Sequence, residues 1–327
     1  MGAGNISATH ARAIADIADA RVAAVYGPRR ERAEALANTV GANAYDSLDR
    51  FFAGQPLDMV IVGTPSGLHG VHAAAAAQRG IHALVEKPIE ITVERVDAAI
   101  DAARRAAVTL GVIFQDRVKP DVRTLKAAVE SGSLGTLSLA RAQVPWWRPP
   151  EYYRDSGWRG TRALDGGGVL MNQAIHTVDL ILWLCGPVAR VSAKTATRFH
   201  DIEVEDTAVA ILEFASGALG TLDATTCAFP GRPRRIEISG SKGTAILDGD
   251  RFGDAPAADA PPPQNVASPV VSDTSAHREV VVDFIHAFRN RIPPCCDGRE
   301  GRRSVQLIEA IYESSQTGRP IDLDVGE

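Results

Sequence analysis

The sequence predicts an α/β protein in two domains. A doubly wound parallel-sheet domain covers about residues 1–117, and residues 118–327 form an α/β domain around a large, mainly antiparallel open sheet. Three observations predict it. Two apolar runs, 57–64 and 81–88, alternate with helical stretches, the pattern of buried parallel strands joined by crossover helices. A glycine-rich opening, Gly2-Ala3-Gly4-Asn5-Ile6-Ser7, leads straight into a helical pattern. Five strand-like stretches then follow at short intervals (188–198, 206–214, 217–226, 234–239 and 243–247), with turn signals such as Gly240-Ser241-Lys242-Gly243 between them.

Length and composition set the limits. The chain has 327 residues, enough for two domains and a sizeable core. Its hydrophobic content of 45% and charged content of 23% are those of an ordinary soluble protein. A net charge of −5 without a polybasic run argues against a nucleic-acid surface. The four cysteines form no disulfide framework and no zinc spacing. No signal peptide is expected, so the expected compartment is the reducing cytoplasm. No membrane span is expected either. The most apolar stretch, 169–185, is short and contains His176 and Asp179.

In the first half, Gly2 and Gly4 let backbone amides approach a pyrophosphate, with Asn5 and Ile6 opening a helix at about 8–18. Such a motif ordinarily follows a central strand, yet only Met1 precedes it. The expectation is therefore a sheet without its first strand, and a sequence that starts late. A strand at 21–26 ends in Gly27-Pro28-Arg29-Arg30. An acid at this place would bind the ribose of NAD; Arg29 or Arg30 pairs with a 2′-phosphate, which leans the expectation from NAD towards NADP. The same arginines can simply open a solvated helix at 29–39.

A short strand at 42–45 precedes a helix capped near Asp46 or Ser47. The strand at 57–64 ends in Thr64-Pro65, with His69 just beyond, at the carboxyl edge where α/β sheets bind ligands. A helix at 68–79 leads to the strand that closes in Glu86-Lys87-Pro88, placing Lys87 at the same edge. A helix at 93–106 and a strand at 108–114 complete the domain.

The second half opens with a helix at 120–131 and a strand at 134–144. The loop at 146–159 gathers Trp147, Arg148, Tyr153, Trp158 and Arg159 in a chain with only 6% aromatic residues. Aromatic faces stack on sugar rings and arginines clamp anions, so this loop is the expected substrate wall. Packing against the sheet accounts equally for about half of these side chains. Next comes Gly166-Gly167-Gly168 and a segment apolar on nearly all sides to Cys185. Read as one α-helix, it carries Asn172, His176 and Asp179 at i, i+4 and i+7 on one face. Buried stripes of this kind are commonly satisfied internally; a facing substrate is the functional alternative. The glycines leave room for a ligand, although a tight turn needs them too. The Pro- and Ala-rich stretch 250–277 reads as a long loop, before closing helices at 279–291 and 302–317.

Gly2-Ala3-Gly4-Asn5-Ile6-Ser7, Thr64-Pro65 with His69, Glu86-Lys87-Pro88, and the Gly-Gly-Gly…Asn172…His176…Asp179 block together resemble the Gfo/Idh/MocA oxidoreductases, along almost the whole chain. The resemblance implies a Rossmann domain binding NAD or NADP through Gly2, Gly4, Asn5, Ile6, Arg29, Arg30, Thr64, Pro65, His69, Glu86 and Lys87. It implies hydride transfer at a carbinol carbon of a sugar or polyol; the loop arginines lean the expectation towards an anionic or nucleotide-linked one. His176 would be the acid/base, Lys87 would stabilise the reacting oxygen, and Asn172 would orient the site. Many relatives carry aspartate at the position of Asn172, so a literal Lys–Asp–His triad is in doubt. Substrate contacts would come from the five loop residues with Asn172 and His176. No metal is implied. The sheet's outer face would form a homodimer or homotetramer. The alternative is a nucleotide-binding sensor without turnover, or an inactive member lacking its first strand.

Overall fold

The computed structural model describes residues 1–253 and 273–326. Most of the stretch expected as a long loop at 250–277 lies outside them. The first elements are α1 (Asn5–Ala15), β1 (Ala24–Tyr26), α2 (Arg30–Val40), β2 (Asn43–Tyr45), α3 (Leu48–Ala53), β3 (Met59–Val62), α4 (His69–Ala77), β4 (His82–Glu86), α5 (Val93–Arg105) and β5 (Leu110–Ile113). All strand pairs here are parallel. They form two separate sheets, β1–β2 and β3–β4–β5. Among the described residues no strand lies between β1 and β3, as the sequence led one to expect.

Local chemistry explains most boundaries. Helix α1 starts at Asn5 rather than near residue 8, because Gly4 already adopts the extended N-cap conformation. Helix α5 is capped by Thr92, whose hydroxyl accepts from the Arg95 amide at 3.3 Å. Helix α2 ends at Gly41 in the left-handed region. Val62, Val85 and Val112 on β3, β4 and β5 are fully buried, each contributing about 1.5–3 kcal/mol of apolar burial. Ala73, Ala76 and Ala77 form the buried stripe of α4.

The middle of the chain forms α6 (Pro120–Glu130), β6 (Leu137–Pro145), α7 (Glu151–Arg154), α8 (Ile175–Cys185), β7 (Val188–Ala196), β8 (Thr207–Phe214), β9 (Leu219–Thr225), β10 (Arg235–Gly240), β11 (Gly243–Asp248) and β12 (Arg251–Phe252). One correction concerns the segment before α8. Val169–Ala174 is a π-helical turn, so 169–185 is not a single α-helix. The spacing of Asn172 and His176 therefore crosses a change of helical period, and the i, i+4 face assigned to them does not apply.

Two further helices, α9 (Ser275–Asn290) and α10 (Gly298–Thr317), and a short β13 (Ile321–Asp322) end the chain. The large sheet has eight strands in the order β12-β11-β10-β6-β9-β8-β7-β13. It is antiparallel except where β6 runs parallel to β9. In β8 burial alternates strictly, leaving Val209 and Ile211 exposed on one face and Ala208, Ala210 and Leu212 buried on the other.

Two compact units result. One holds Met1–Gln115 and the described part of Pro269–Arg302; the other holds the described part of Asp116–Ser268 with Arg303–Glu327. The division drawn from the sequence at 117/118 thus misses a return. Helix α9 packs beside α1, and Cys296 accepts the Val112 amide at 2.9 Å. Sequence periodicity marks α9 as amphipathic but does not say which sheet its apolar face covers.

Candidate active site

In the first unit the glycine-rich start sits at the head of α1. No side chain caps its first turn and no acid lies in it. A Cβ at Gly4 would meet no atom within 4 Å. The head of α1 therefore presents open amides, an approachable backbone and a favourable helix dipole at Gly4, Asn5 and Ile6. The Gly2 amide donates to the Tyr26 carbonyl at 2.8 Å.

Thr64 and Pro65 follow the end of β3 as expected. The Thr64 hydroxyl bonds His72 Nδ1 at 3.0 Å. His69 is buried; its Nδ1 lies 2.6 Å from the Pro88 carbonyl and its Nε2 2.8 Å from that of Thr64. It ties the ends of β3 and β4 together. Glu86 is likewise turned inward, bonding His10 Nε2 at 2.7 Å. Burial would raise its pKa, but the His10 bond and nearby charge prevail and hold it at about 2. Its other oxygen accepts the Lys87 amide at 3.2 Å, so Glu86 fixes the backbone from which Lys87 projects. Lys87–Pro88 is a cis peptide. His10 was not singled out from the sequence; its spacing from Glu86 carries no local signal. Arg29 is exposed, and Arg30 is engaged by Glu34 at 2.7 Å.

In the second unit, Glu205 organises the π-helical turn. Its carboxyl accepts from the amides of Gly168 at 3.0 Å and Leu170 at 2.9 Å, and from the Tyr312 hydroxyl at 2.9 Å. Burial raises its pKa against those bonds. A Cβ at Gly168 would overlap the Glu205 carbonyl, and one at Gly167 the Tyr312 hydroxyl. Close protein approach at these two glycines replaces the ligand space read from the sequence. Asn172 donates to the buried Asp165, and its Oδ1 accepts from Gln173 at 2.8 Å. An amide suits this place because it donates and accepts at once.

His176 has Asp116 behind it, with Nδ1 and Oδ2 3.9 Å apart. Asp116 is buried and is gripped by Arg234 and by Lys119, the latter at 2.6 Å. Burial opposes its ionisation, yet Arg234, His176 and Lys119 hold its carboxyl well below the usual range. A fixed anion at Nδ1 leaves Nε2 to exchange a proton. Asp116 was not singled out from the sequence. Asp179 takes Arg117 in a buried bidentate pair at 2.8 and 2.6 Å, which is a structural role.

The aromatic loop divides. Arg148 spends its fork on Gln173 Oε1 at 3.1 and 2.7 Å and lies over the Trp146 and Tyr152 rings. Tyr153 is buried, with its hydroxyl on Thr226 at 3.3 Å. Trp147 packs among Phe199, His200 and Phe229. Trp158 and Arg159 are half-buried, Arg159 lying over Tyr152 at 4.4 Å. Trp147 and Arg148 are half-buried as well. Elsewhere, His200, Asp206 and Cys227 form the one group of three possible metal donors among the described residues. Asp206 is already occupied by the amides of Arg198, Phe199 and His200. No helix among the described residues is long and apolar enough to cross a membrane.

Comparison with known proteins gives two family matches: an NAD-binding Rossmann fold of an oxidoreductase family over residues 1–114, and a GFO/IDH/MocA C-terminal domain over 122–246. The WlbA dehydrogenase of Bordetella pertussis, solved with NADH and UDP-GlcNAcA, is 35% identical with a TM-score of 0.89, covering 99% of this chain and 97% of that one. The WlbA dehydrogenase of Chromobacterium violaceum, with the same two ligands, is 34% identical with a TM-score of 0.88, covering 100% and 95%. The myo-inositol 2-dehydrogenase of Thermotoga maritima is 27% identical, over 99% of this chain and 97% of its own length.

Proposed function

The chain belongs to the Gfo/Idh/MocA oxidoreductase family, and from that premise we propose that it oxidises one carbinol carbon of a nucleotide-linked sugar bearing a carboxylate, with NAD as hydride acceptor. It is a dehydrogenase of the CH–OH class, like its named relatives. The bound dinucleotide supplies the nicotinamide carbon that receives the hydride; the protein's part is binding and proton handling. Lys87 hydrogen-bonds the reacting oxygen and steadies its developing charge. His176 takes the hydroxyl proton at Nε2, with Asp116 favouring the imidazolium that results. Asn172 orients the polar end of the substrate without taking a proton.

The observation that carries this reading is the His176–Asp116 arrangement on its buried cationic support. The substrate class rests on UDP-GlcNAcA in the WlbA complexes and on the exposed parts of Trp158 and Arg159. NAD is the acceptor in this reading because the WlbA complexes hold NADH; Arg29 and Arg30 remain the groups that would pair with a 2′-phosphate. Association through the sheet face bearing Val209, Ile211 and Leu219 is supported by their exposure, and light scattering measures it.

The test is absorbance at the nicotinamide band with UDP-sugar uronates, free uronates, inositols and neutral sugars, using NAD and NADP in turn. Turnover with the UDP-linked uronates and NAD is expected; turnover only with neutral sugars overturns the substrate assignment. His176→Ala should lower kcat by about 10²–10⁴-fold while preserving the thermal shift caused by NAD. A second reading, a relative that does not turn over, draws on the division of the nucleotide-binding sheet between β1 and β3. Absence of a thermal shift with either dinucleotide favours it.

A further inference from the structure

In the second unit the connection between β7 and β8 folds back around one buried carboxylate. Asp206 takes the amides of Arg198 and Phe199 at 2.8 Å and of His200 at 3.0 Å. Strand β8 then pairs with β9 from Thr207 opposite Thr225, and the Thr226 amide donates to the Asp206 carbonyl at 2.9 Å. That register brings Cys227, the second residue beyond β9, to the same place. One nitrogen of His200, one oxygen of Asp206 and the sulfur of Cys227 all lie within 4.8 Å of one another.

The His200 ring is fixed among Trp147, Tyr153 and Phe199. Its Nε2 lies 2.9 Å from the Arg148 carbonyl. A carbonyl only accepts, so Nε2 carries a proton, and Nδ1 of the neutral ring is a lone pair. That lone pair faces Asp206 Oδ2 at 3.3 Å and Cys227 Sγ at 3.8 Å. An imidazole lone pair against a carboxylate is repulsive, and a cation between the two reverses the sign. A proton on Nδ1 would do this as an ordinary ion pair. The third donor and the spacing favour a metal ion instead. Ligand atoms about 2.0–2.3 Å from a tetrahedral zinc stand about 3.3–3.7 Å from one another, close to the two separations found. The outer contacts agree: a ligating histidine characteristically donates its other N–H to a carbonyl, and a ligating carboxylate is itself hydrogen-bonded.

We propose that His200 Nδ1, Asp206 Oδ2 and Cys227 Sγ form a zinc site, with the fourth position left to water. Imidazole and thiolate beside one carboxylate select Zn²⁺ over Mg²⁺ or Ca²⁺, which take oxygen ligands. Coordination sends the Cys227 thiol proton to solvent and leaves the sulfur as thiolate. Cys227 is half-buried, which gives the ion an approach to two otherwise buried ligands. The amides on Asp206 orient its carboxylate rather than compete with the ion. Bound there, zinc clamps the connection before β8 to the segment after β9. The spacing of the cysteines does not announce the site, because its donors come from positions 200, 206 and 227.

The experiment titrates the full chain, stripped with a chelator and kept reduced, with cobalt(II) as a spectroscopic probe and then with zinc. No dinucleotide or sugar is present, so the outcome is independent of the dehydrogenase assignment. One equivalent of cobalt should give a thiolate-to-metal charge-transfer band in the near ultraviolet together with the strong visible bands of a tetrahedral ion, and zinc should abolish both. Cys227→Ser should lose the charge-transfer band, whereas Cys295→Ser should keep it. His200→Phe keeps a ring among the aromatic neighbours and should weaken zinc binding by at least about 100-fold, its far-ultraviolet circular dichroism checking the fold. Absence of the band in the unaltered protein, a band of equal strength in Cys227→Ser, or zinc affinity unchanged in folded His200→Phe overturns the proposal.

Discussion

The sheet of the second unit runs unbroken through eight strands, whereas the parallel sheet of the first is divided between β1 and β3. The second is tied further by buried charge: Arg117–Asp179 under α8, and Asp116 between Arg234 and Lys119. The first has a buried pair too, Glu86 against His10, but otherwise relies on small apolar residues, such as Val25 packed with Ala33 and Ala37. The difference separates two kinds of sensitivity. Loss of a single group in the second unit strands a buried partner; changes at the ligand edge of the first alter binding before stability.

The sharpest break of that comparison is Asp179→Ala. It leaves the Arg117 guanidinium buried without its carboxylate and should cost about 3–5 kcal/mol in urea unfolding. A loss under 1 kcal/mol removes buried charge as the distinction between the units. Next is a pair of glycines. Gly168→Ala drives a methyl into the Glu205 backbone and should cost about 3 kcal/mol. Gly4→Ala enters open space and should change stability by less than about 0.5 kcal/mol while weakening NAD binding. Equal destabilisation by the two would contradict an open amide approach at α1.

A pH effect belongs to the first unit. Burial, then the N-terminal amine and His69, lower the His72 pKa from 6.5 to about 4. Its imidazole stays neutral in the folded state and charges in the unfolded one. Stability from this site is full above about pH 6.5 and is lost as pH falls towards 4. Between pH 7 and pH 5 the loss should be about 2 kcal/mol, and His72→Gln should flatten it; an unchanged slope assigns the effect elsewhere. Asp116→Asn tests the proton handling of the second unit. Without the anion the protonated His176 is less favoured, so the acidic limb of kcat/KM should move to lower pH, with kcat down about tenfold. An unmoved limb would detach Asp116 from the proton transfer.

Much of the fold was legible because it rests on local pattern. The apolar runs of β3 and β4, the alternation in β8, and the glycine-rich start of α1 each declare an element and a face. The same holds for Thr64 and Lys87, which follow the carboxyl ends of β3 and β4. Other features were not legible. The π-helical turn at Val169–Ala174 depends on Glu205, more than thirty positions away, holding the amides of Gly168 and Leu170. Glu86 looks from sequence like a ligand group, and only the packing of α1 brings His10 against it.

The sequence by itself determined the two architectures and the residues at the strand ends, because periodicity and strand-end position are properties of neighbours along the chain. The tertiary structure alone decided that Asp116 stands behind His176, that Arg148 is spent on Gln173, and that Gly167 and Gly168 meet Tyr312 and Glu205. Each depends on distances between segments far apart in sequence, and such distances are fixed only when buried polar groups and apolar faces find their partners.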